Sequence, residues 1–220
     1  MWLFLALLVW PLFIAFIVII LLIPFQFTLY SLVNLVTIPY QLVKIALNKD
    51  IRRNHALEHA TIHVLEERFG IGGLTGLANE NGFIIQGNVA PEYLRDAALI
   101  ALKRLQRGEY WLSVHNRCGT SIIAANFVSS LFFVFLLWQT GMFSLLNVLV
   151  AIFAAQLIGP LAGRTVQKYI TTSANVDRMQ ILRVEYKTKV TTGFLGIPVR
   201  LAPSEFFVRT QRTKPVQPEF

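Results

Sequence analysis

The sequence predicts a mainly α integral membrane protein: about four transmembrane helices in two hairpins, carrying a small α+β cytoplasmic cap. Three observations predict it. Residues 1–43 contain no Lys, Arg, Asp or Glu, and neither do residues 118–163. Each interval is long enough for two spans of about 20 residues. Hydrophobic residues make up 55% of the chain and charged ones 15%, which excludes disorder and argues against a soluble globule. All 20 basic residues fall in 44–117 or 164–220, so a hairpin between those segments returns the chain to the side it left.

Taken in order, the first interval is expected to break at Pro24 into Trp2–Ile23 and Phe25–Val43. The second of these carries Gln26, Asn34, Thr37, Pro39 and Gln41, so an interfacial position is its alternative. The amino-terminal run has no basic n-region and no small-residue cleavage site, which reads as a retained anchor. The later interval divides near Gln139-Thr140-Gly141 into Ser121–Trp138 and Met142–Ile158. These breaks give four segments: a transmembrane hairpin over 1–47, a cytoplasmic metal-motif segment over 48–120, a second hairpin over 121–159, and a cytoplasmic carboxy-terminal segment over 160–220. The positive-inside rule assigns both charged segments to the cytoplasm. The membrane is then the cell inner membrane or a thylakoid-like internal one. The net charge of +8 is mainly an orientation signal, with attraction to anionic head groups as a secondary effect. The lipid bilayer is the expected partner, with other membrane proteins next. The basic residues are scattered, not striped, and no nucleic-acid motif is present, so nucleic acid is not expected.

In the charged segments, Asn48 or Asp50 can cap a helix starting near Ile51, and Gly70, Gly72 and Gly73 end it at Phe69. Residues 74–89 read as a β-hairpin turning at Asn81-Gly82. Pro91 opens a second amphipathic helix that runs to Arg107 and is closed by Gly108. Tyr110–Thr120 delivers the chain to the third span. Arg164–Ile170 continues the fourth span or forms a surface helix. Strands are expected at Gln180–Val190 and within Ile197–Val208, and Thr213 begins a loose tail.

Chemistry concentrates in Arg52–Arg68. Three of the four histidines, His55, His59 and His63, lie there; the fourth, His115, precedes the single cysteine, Cys118, by three residues. On a helix, His55, His59 and His63 fall within about 80° of arc, with Glu66 among them and Glu58 on the flank. His55-Ala56-Leu57-Glu58-His59 fits H-x-x-E-H, the inverted zinc motif. Two histidines four apart can reach one ion, and a carboxylate beside them can take a proton from metal-bound water. His115 and Cys118 supply an imidazole and a thiol of the kind zinc accepts. The expected metal ligands are therefore His55, His59, His115 and Cys118, the expected general base is Glu58, and the cofactor is zinc or another divalent metal. Each residue also has a bland reading. The histidines can be satisfied polar groups of an interfacial helix, Cys118 can be small packing, Glu66 a solvated helix end, and Asp177 a turn cap.

The segment His55-Ala56-Leu57-Glu58-His59-Ala60-Thr61-Ile62, followed by His115-Asn116-Arg117-Cys118-Gly119-Thr120-Ser121 at the head of a span, resembles the YqhQ-type bacterial membrane proteins. Gln167, Thr171, Thr172, Asp177 and Gln180 echo a third, looser block of that pattern, and the likeness covers roughly residues 50–185. The resemblance implies a metal-dependent enzyme without an established substrate, and it carries over His55, Glu58, His59, His115 and Cys118 as site residues. The chain departs from the pattern at Ala60 (lysine there), Asn116 (proline there) and Ser173-Ala174-Asn175 (Arg-Glu-Pro there); if that Arg and Glu serve in chemistry, the last departure implies a different substrate or no turnover.

Two functions follow. One is a membrane-embedded zinc-dependent hydrolase of peptidase or amidase type, with His55 and His59 on the metal, His115 or Cys118 as third ligand, and Glu58 as base. The other is a non-catalytic assembly or scaffold factor, in which His55, His59, His115 and Cys118 close a structural tetrahedron. Three protein ligands plus water favour the enzyme, and four favour the staple. Haem ligation would need a second helix to supply the opposite face. A transporter is disfavoured, because no charged residue lies within a span.

Overall fold

A computed structural model of the chain describes residues 2–116, 118–186, 190–192, 198–200 and 204–213, with backbone alone for residues 2–8, 190–192 and 198–200. The elements in order are α1 (Trp2–Leu47), α2 (Lys49–Phe69), β1 (Thr75–Asn79), β2 (Gly82–Gln86), α3 (Pro91–Gln106), a 3-10 turn (Tyr110–Ser113), α4 (Gly119–Thr140), α5 (Leu145–Val166), a π turn (Gln167–Thr171), β3 (Met179–Tyr186), β4 (Val190–Thr192), β5 (Pro198–Arg200) and β6 (Glu205–Arg212). They sort into two compact units. One comprises Met1–Gln41 and Ser121–Gly163, the other Leu42–Thr120 and Arg164–Phe220.

Among the described residues, three helices are long and apolar enough to cross a membrane: Val9–Leu47, Gly119–Thr140 and Leu145–Thr171. The expected first hairpin does not form. Pro11, Pro24 and Pro39 all lie inside one continuous α1. The reason lies in what a hairpin needs. No glycine occurs before Gly70, so no residue near Pro24 takes up a positive φ without cost, as the tightest reversing turns require. A proline inside a helix removes one backbone donor and frees the carbonyl four residues before it, that of Ile20 for Pro24. Separately, Thr28 Oγ1 donates to the Pro24 carbonyl at 2.7 Å, the back-bond a helical threonine makes to residue i−4. At 1.5 Å per residue, the 46 residues of α1 extend about 69 Å, roughly twice a hydrocarbon core.

Within this unit, Phe133, Val148 and Ala151 form a small core, packed by Ile23 and Phe27. The Phe27 and Phe133 rings meet edge to face with centroids 4.9 Å apart. Asn34 donates to Ser130 Oγ at 3.3 Å, which accounts for an amide in an otherwise apolar stretch. The α4–α5 turn holds Asn147, whose amide reaches Thr140 Oγ1 and the Met142 carbonyl.

The second unit packs α2 and α3 on an antiparallel sheet of order β1-β2-β6-β3. Asn48 caps α2, its side chain accepting from the Asp50 and Ile51 N–H groups. Gly70 ends the helix in the left-handed region (φ 66°), which glycine enters without a Cβ clash. Pro91 occupies the first turn of α3, where its missing N–H costs nothing. The hairpin forms one residue from where it was expected. Asn79 pairs with Gly82, so Glu80 and Asn81 make the turn and Gly82 opens β2. In β6, Phe206, Val208 and Thr210 alternate inward. Phe206 and Val208 meet Phe83, Ile85, Leu57, Leu65, Leu94, Leu105 and Leu112 in a continuous core. Each such Leu or Phe contributes about 1.5–3 kcal/mol by leaving water. That core clamps α2 from below and fixes which way its histidine face points. The expected second strand resolves into β5 and β6, and the tail from Thr213 lies mostly outside the described residues.

Candidate metal centre

The histidine stripe of α2 is covered by three short segments of irregular backbone. These are the 3-10 turn with Val114, the described residues His115, Asn116 and Cys118, and the π turn that follows α5. The first and the last present main-chain carbonyls to the imidazoles. His55 Nδ1 lies 3.0 Å from the Thr171 carbonyl, and His59 Nδ1 lies 2.7 Å from the Ser113 carbonyl. A carbonyl oxygen can only accept, so both Nδ1 atoms carry the hydrogen and both Nε2 atoms keep a lone pair. Metal-bound imidazoles are oriented in the same way, the second nitrogen donating to a carbonyl behind it.

Those lone pairs converge with a sulfur. His55 Nε2 is 3.3 Å from Cys118 Sγ, and the His55 and His59 rings have centroids 4.4 Å apart. One ligand atom from each of His55, His59 and Cys118 lies within 4.8 Å of the others. The Thr120 N–H donates to Cys118 Sγ at 3.3 Å, as a backbone amide does to a ligand sulfur. His59 is 1% exposed, and its Nε2 is buried with no hydrogen-bond partner among the described residues. An orphaned buried nitrogen costs about 1–3 kcal/mol. Burial, above all, pushes both imidazoles down from the ordinary histidine range, His59 furthest, with the His55 ring as its next cause. Neutral imidazoles are the form that binds a metal. Orphaned nitrogen, fixed tautomers and soft donor set together fit a zinc-like cation.

A second constellation lies one turn along α2. His63 Nε2 is 2.9 Å from the Val114 carbonyl, which leaves the lone pair on Nδ1. His115 Nε2 is 3.2 Å from Glu66 Oε2. The His115 backbone N–H donates to Gln167 Oε1 at 2.9 Å. Ligand atoms of His63, Glu66 and His115 again lie within 4.8 Å of one another. These three residues and Asn116 line an open pocket of about 300 Å³. The His115 ring is 4.8 Å from that of His63 and 6.1 Å from that of His59, centroid to centroid.

The structure therefore divides the four ligands expected from sequence. His55, His59 and Cys118 come together, whereas His115 joins His63 and Glu66. Glu58 joins neither set. Its carboxylate lies on the sheet-facing side of α2 against Gly76 of β1, so closely that a Cβ on Gly76 would collide with it. It is 3% exposed, and burial raises its pKa from 4.5 to about 8, so the group is mostly protonated at neutral pH. Asp177 also stands apart, on a separate pocket with Arg53, Arg178 and Arg212.

Sequence reasoning undervalued Glu66 and His63, although the spacing of four and then three residues from His59 already placed them on its face of the helix. The supporting carbonyls of Ser113, Val114 and Thr171 carry no side-chain signal at all. Gln167, Thr171 and Thr172 did carry one, as the loose third block. Their role is now structural: Thr172 donates through N–H and Oγ1 to the Gln167 carbonyl, closing the π turn that aims Thr171 at His55.

A family described as a domain of unknown function (DUF6391) matches residues 50–184, a range that contains both donor sets and all three covering segments. An uncharacterised protein of the cyanobacterium Picosynechococcus sp. is 33% identical over 137 residues, 56% of this chain and 66% of that relative. The chain thus spans just under two thirds of that relative's length. No solved structure matches it. The likeness to YqhQ-type proteins stays a likeness of motifs: what is found is an uncharacterised bacterial relative and a family without a known function.

Proposed function

The chain belongs to the DUF6391 family, and from that premise we propose that it is a membrane-anchored, metal-dependent hydrolase of peptidase or amidase type, with zinc held by His55, His59 and Cys118. The observation that carries this reading is the buried, unpartnered Nε2 of His59 facing a second imidazole lone pair and a sulfur. Three protein ligands leave one zinc position open for water, as catalytic centres do and closed structural ones do not. Bound there, the metal would lower the pKa of that water.

The chain's own residues have separable tasks in this reading. The Thr171 and Ser113 carbonyls hold the tautomers of His55 and His59. Glu58, first expected as the base, is held as a neutral acid against Gly76 and serves α2 as a space-filling, positioning group. Glu66 and His115 border the open pocket and face whatever enters it. The three apolar helices anchor the protein in the inner or a thylakoid-like membrane, with both charged segments cytoplasmic by the positive-inside rule.

One observation favours the alternative, a non-catalytic assembly factor with a structural metal. His55 and His59 are nearly enclosed, as structural ligands usually are. The deciding experiment is metal analysis of the full chain in detergent, paired with amide hydrolysis measured on a peptide pool. Metal lost in His59→Ala together with turnover lost in the same variant supports the hydrolase. Metal bound in the wild type without turnover leaves the structural reading, and wild-type protein that binds no metal overturns both.

A further inference from the structure

We infer that His63, Glu66 and His115 form a second divalent-cation site, open to the pocket beside Asn116 and separate from the His55–His59–Cys118 centre. The donors are two imidazoles and one carboxylate, a set typical of open catalytic sites for zinc and of open iron(II) sites. The two histidines are held from outside the site. The Val114 carbonyl fixes His63 with Nδ1 as the lone-pair atom, and Trp111 packs edge-on against the same ring at 5.5 Å. Gln167 pins the backbone of His115. Glu66 already shares a hydrogen with His115 Nε2, and a cation takes the place of that shared hydrogen without moving either residue's backbone. Donors about 2 Å from one tetrahedral ion lie roughly 3.3 Å from each other, so the present spread of up to 4.8 Å closes by side-chain rotations that draw them together by about 1.5 Å.

Two contrasts set this site apart from the first. Its donors are nitrogen and oxygen without sulfur, so it is the harder of the two and tolerates cations the thiol-bearing centre disfavours. It also faces a pocket of about 300 Å³, whereas His59 Nε2 is sealed. With three protein ligands, the remaining coordination positions point into that pocket, where they suit an oxygen donor: a carbonyl, a carboxylate or a phosphate oxygen. The site rests on its own geometry, and only its use on a substrate carbonyl rests on the hydrolase reading.

The test is cobalt(II) titration of the full chain in detergent, followed by metal counting and by the thiolate-to-cobalt charge-transfer band that only a Cys118-bound ion can give. Wild type should take up two equivalents. His63→Ala and the isosteric Glu66→Gln should each lose one equivalent and keep the band, whereas Cys118→Ser should lose the band and keep the equivalent that depends on His63. A wild type binding one equivalent, with the band and with content unchanged in both His63→Ala and Glu66→Gln, overturns the second site and leaves the first standing. Uptake without any band, abolished by Glu66→Gln, sustains the second site while removing the first.

Discussion

Gly76 of β1 and Glu58 of α2 are in direct contact, with the glycine's absent side chain providing the space in which the carboxyl group lies. The flanking backbone cannot move away, because Gly76 is paired with Ile85 in the sheet. Gly76→Ala should therefore destabilise the charged unit by about 1–3 kcal/mol, the usual range for overpacking a filled interior. Thermal unfolding in detergent measures it. Pairing the change with Glu58→Ala should restore much of the loss, and a strictly additive double variant would mean that the two residues do not share this space.

The same burial sets a pH dependence. Glu58 has a folded pKa of about 8 against 4.5 when unperturbed, so the folded state binds this proton more tightly than the unfolded one. The associated stability is fully present below about pH 4.5 and is lost as pH rises through about 8, with a slope of at most about 1.4 kcal/mol per unit. Glu58→Gln copies the protonated form and should flatten the decline between about pH 5 and pH 8. A wild type whose unfolding midpoint does not fall over that interval, or a Gln variant that falls as steeply, contradicts the assignment. If Glu58 were instead the catalytic base, Glu58→Gln would keep metal and lose all turnover.

How much of this was legible beforehand depends on the range over which each signal acts. The histidine stripe, the Asn48 cap, the Gly70 stop and the start of α3 at Pro91 are local and were readable from spacing. The partition of the ligands was not. His115 joins His63 and Glu66 instead of His55 because the 3-10 turn and Val114 set the chain's approach to α2, and the carbonyls that do so belong to no residue type. The fate of the first apolar interval was misread for a different reason. A proline suggests a break, but reversal also needs turn residues, and the stretch from Phe25 to Leu47 offers none better than Asn34, whose amide is engaged by Ser130.

The proposed membrane topology rests on the two charge-free intervals and is checkable without any functional assay. A reporter cysteine introduced at Gln139 or Met142, at the α4–α5 turn, should react with an impermeant reagent from outside the cell. One at Asn81, in the β1–β2 turn, should react only after permeabilisation. The native Cys118 is changed to serine in both reporters. The reverse labelling pattern would invert the orientation and move both donor sets to the outer side.

Two glycines of α5 are required by α4. A Cβ on Gly163 would come within 2.7 Å of Ser121 Cα, and one on Gly159 within 2.6 Å of Ala125 Cβ. The first obstacle is backbone and cannot rotate aside. Small residues that let helix backbones approach are the main packing device in apolar surroundings. Gly163→Val should separate the helices and lower the unfolding midpoint in detergent more than Leu161→Val, an exposed position on the same helix. Equal effects would mean that this contact contributes little.

Gln167 tests whether the segment after α5 supports the site or merely borders it. Its side chain is fully buried and accepts from the His115 N–H, while its main-chain carbonyl accepts from Thr172. Gln167→Ala leaves the His115 N–H without that acceptor, at about 1–3 kcal/mol, and releases the segment that carries His115, whereas His59 is held on α2. Loss of a supporting hydrogen bond commonly weakens metal binding 10–100-fold. The expected result is therefore graded: weaker uptake at the His63–Glu66–His115 set, and a smaller change in cobalt–thiolate absorption from His55, His59 and Cys118. Gln167→Glu keeps the acceptor oxygen and should retain more of that uptake than alanine does. Equal loss at both sets would mean that Gln167 supports the whole His115-to-Cys118 segment, whose Cys118 N–H donates to the His115 carbonyl, and not the His115 ligand in particular.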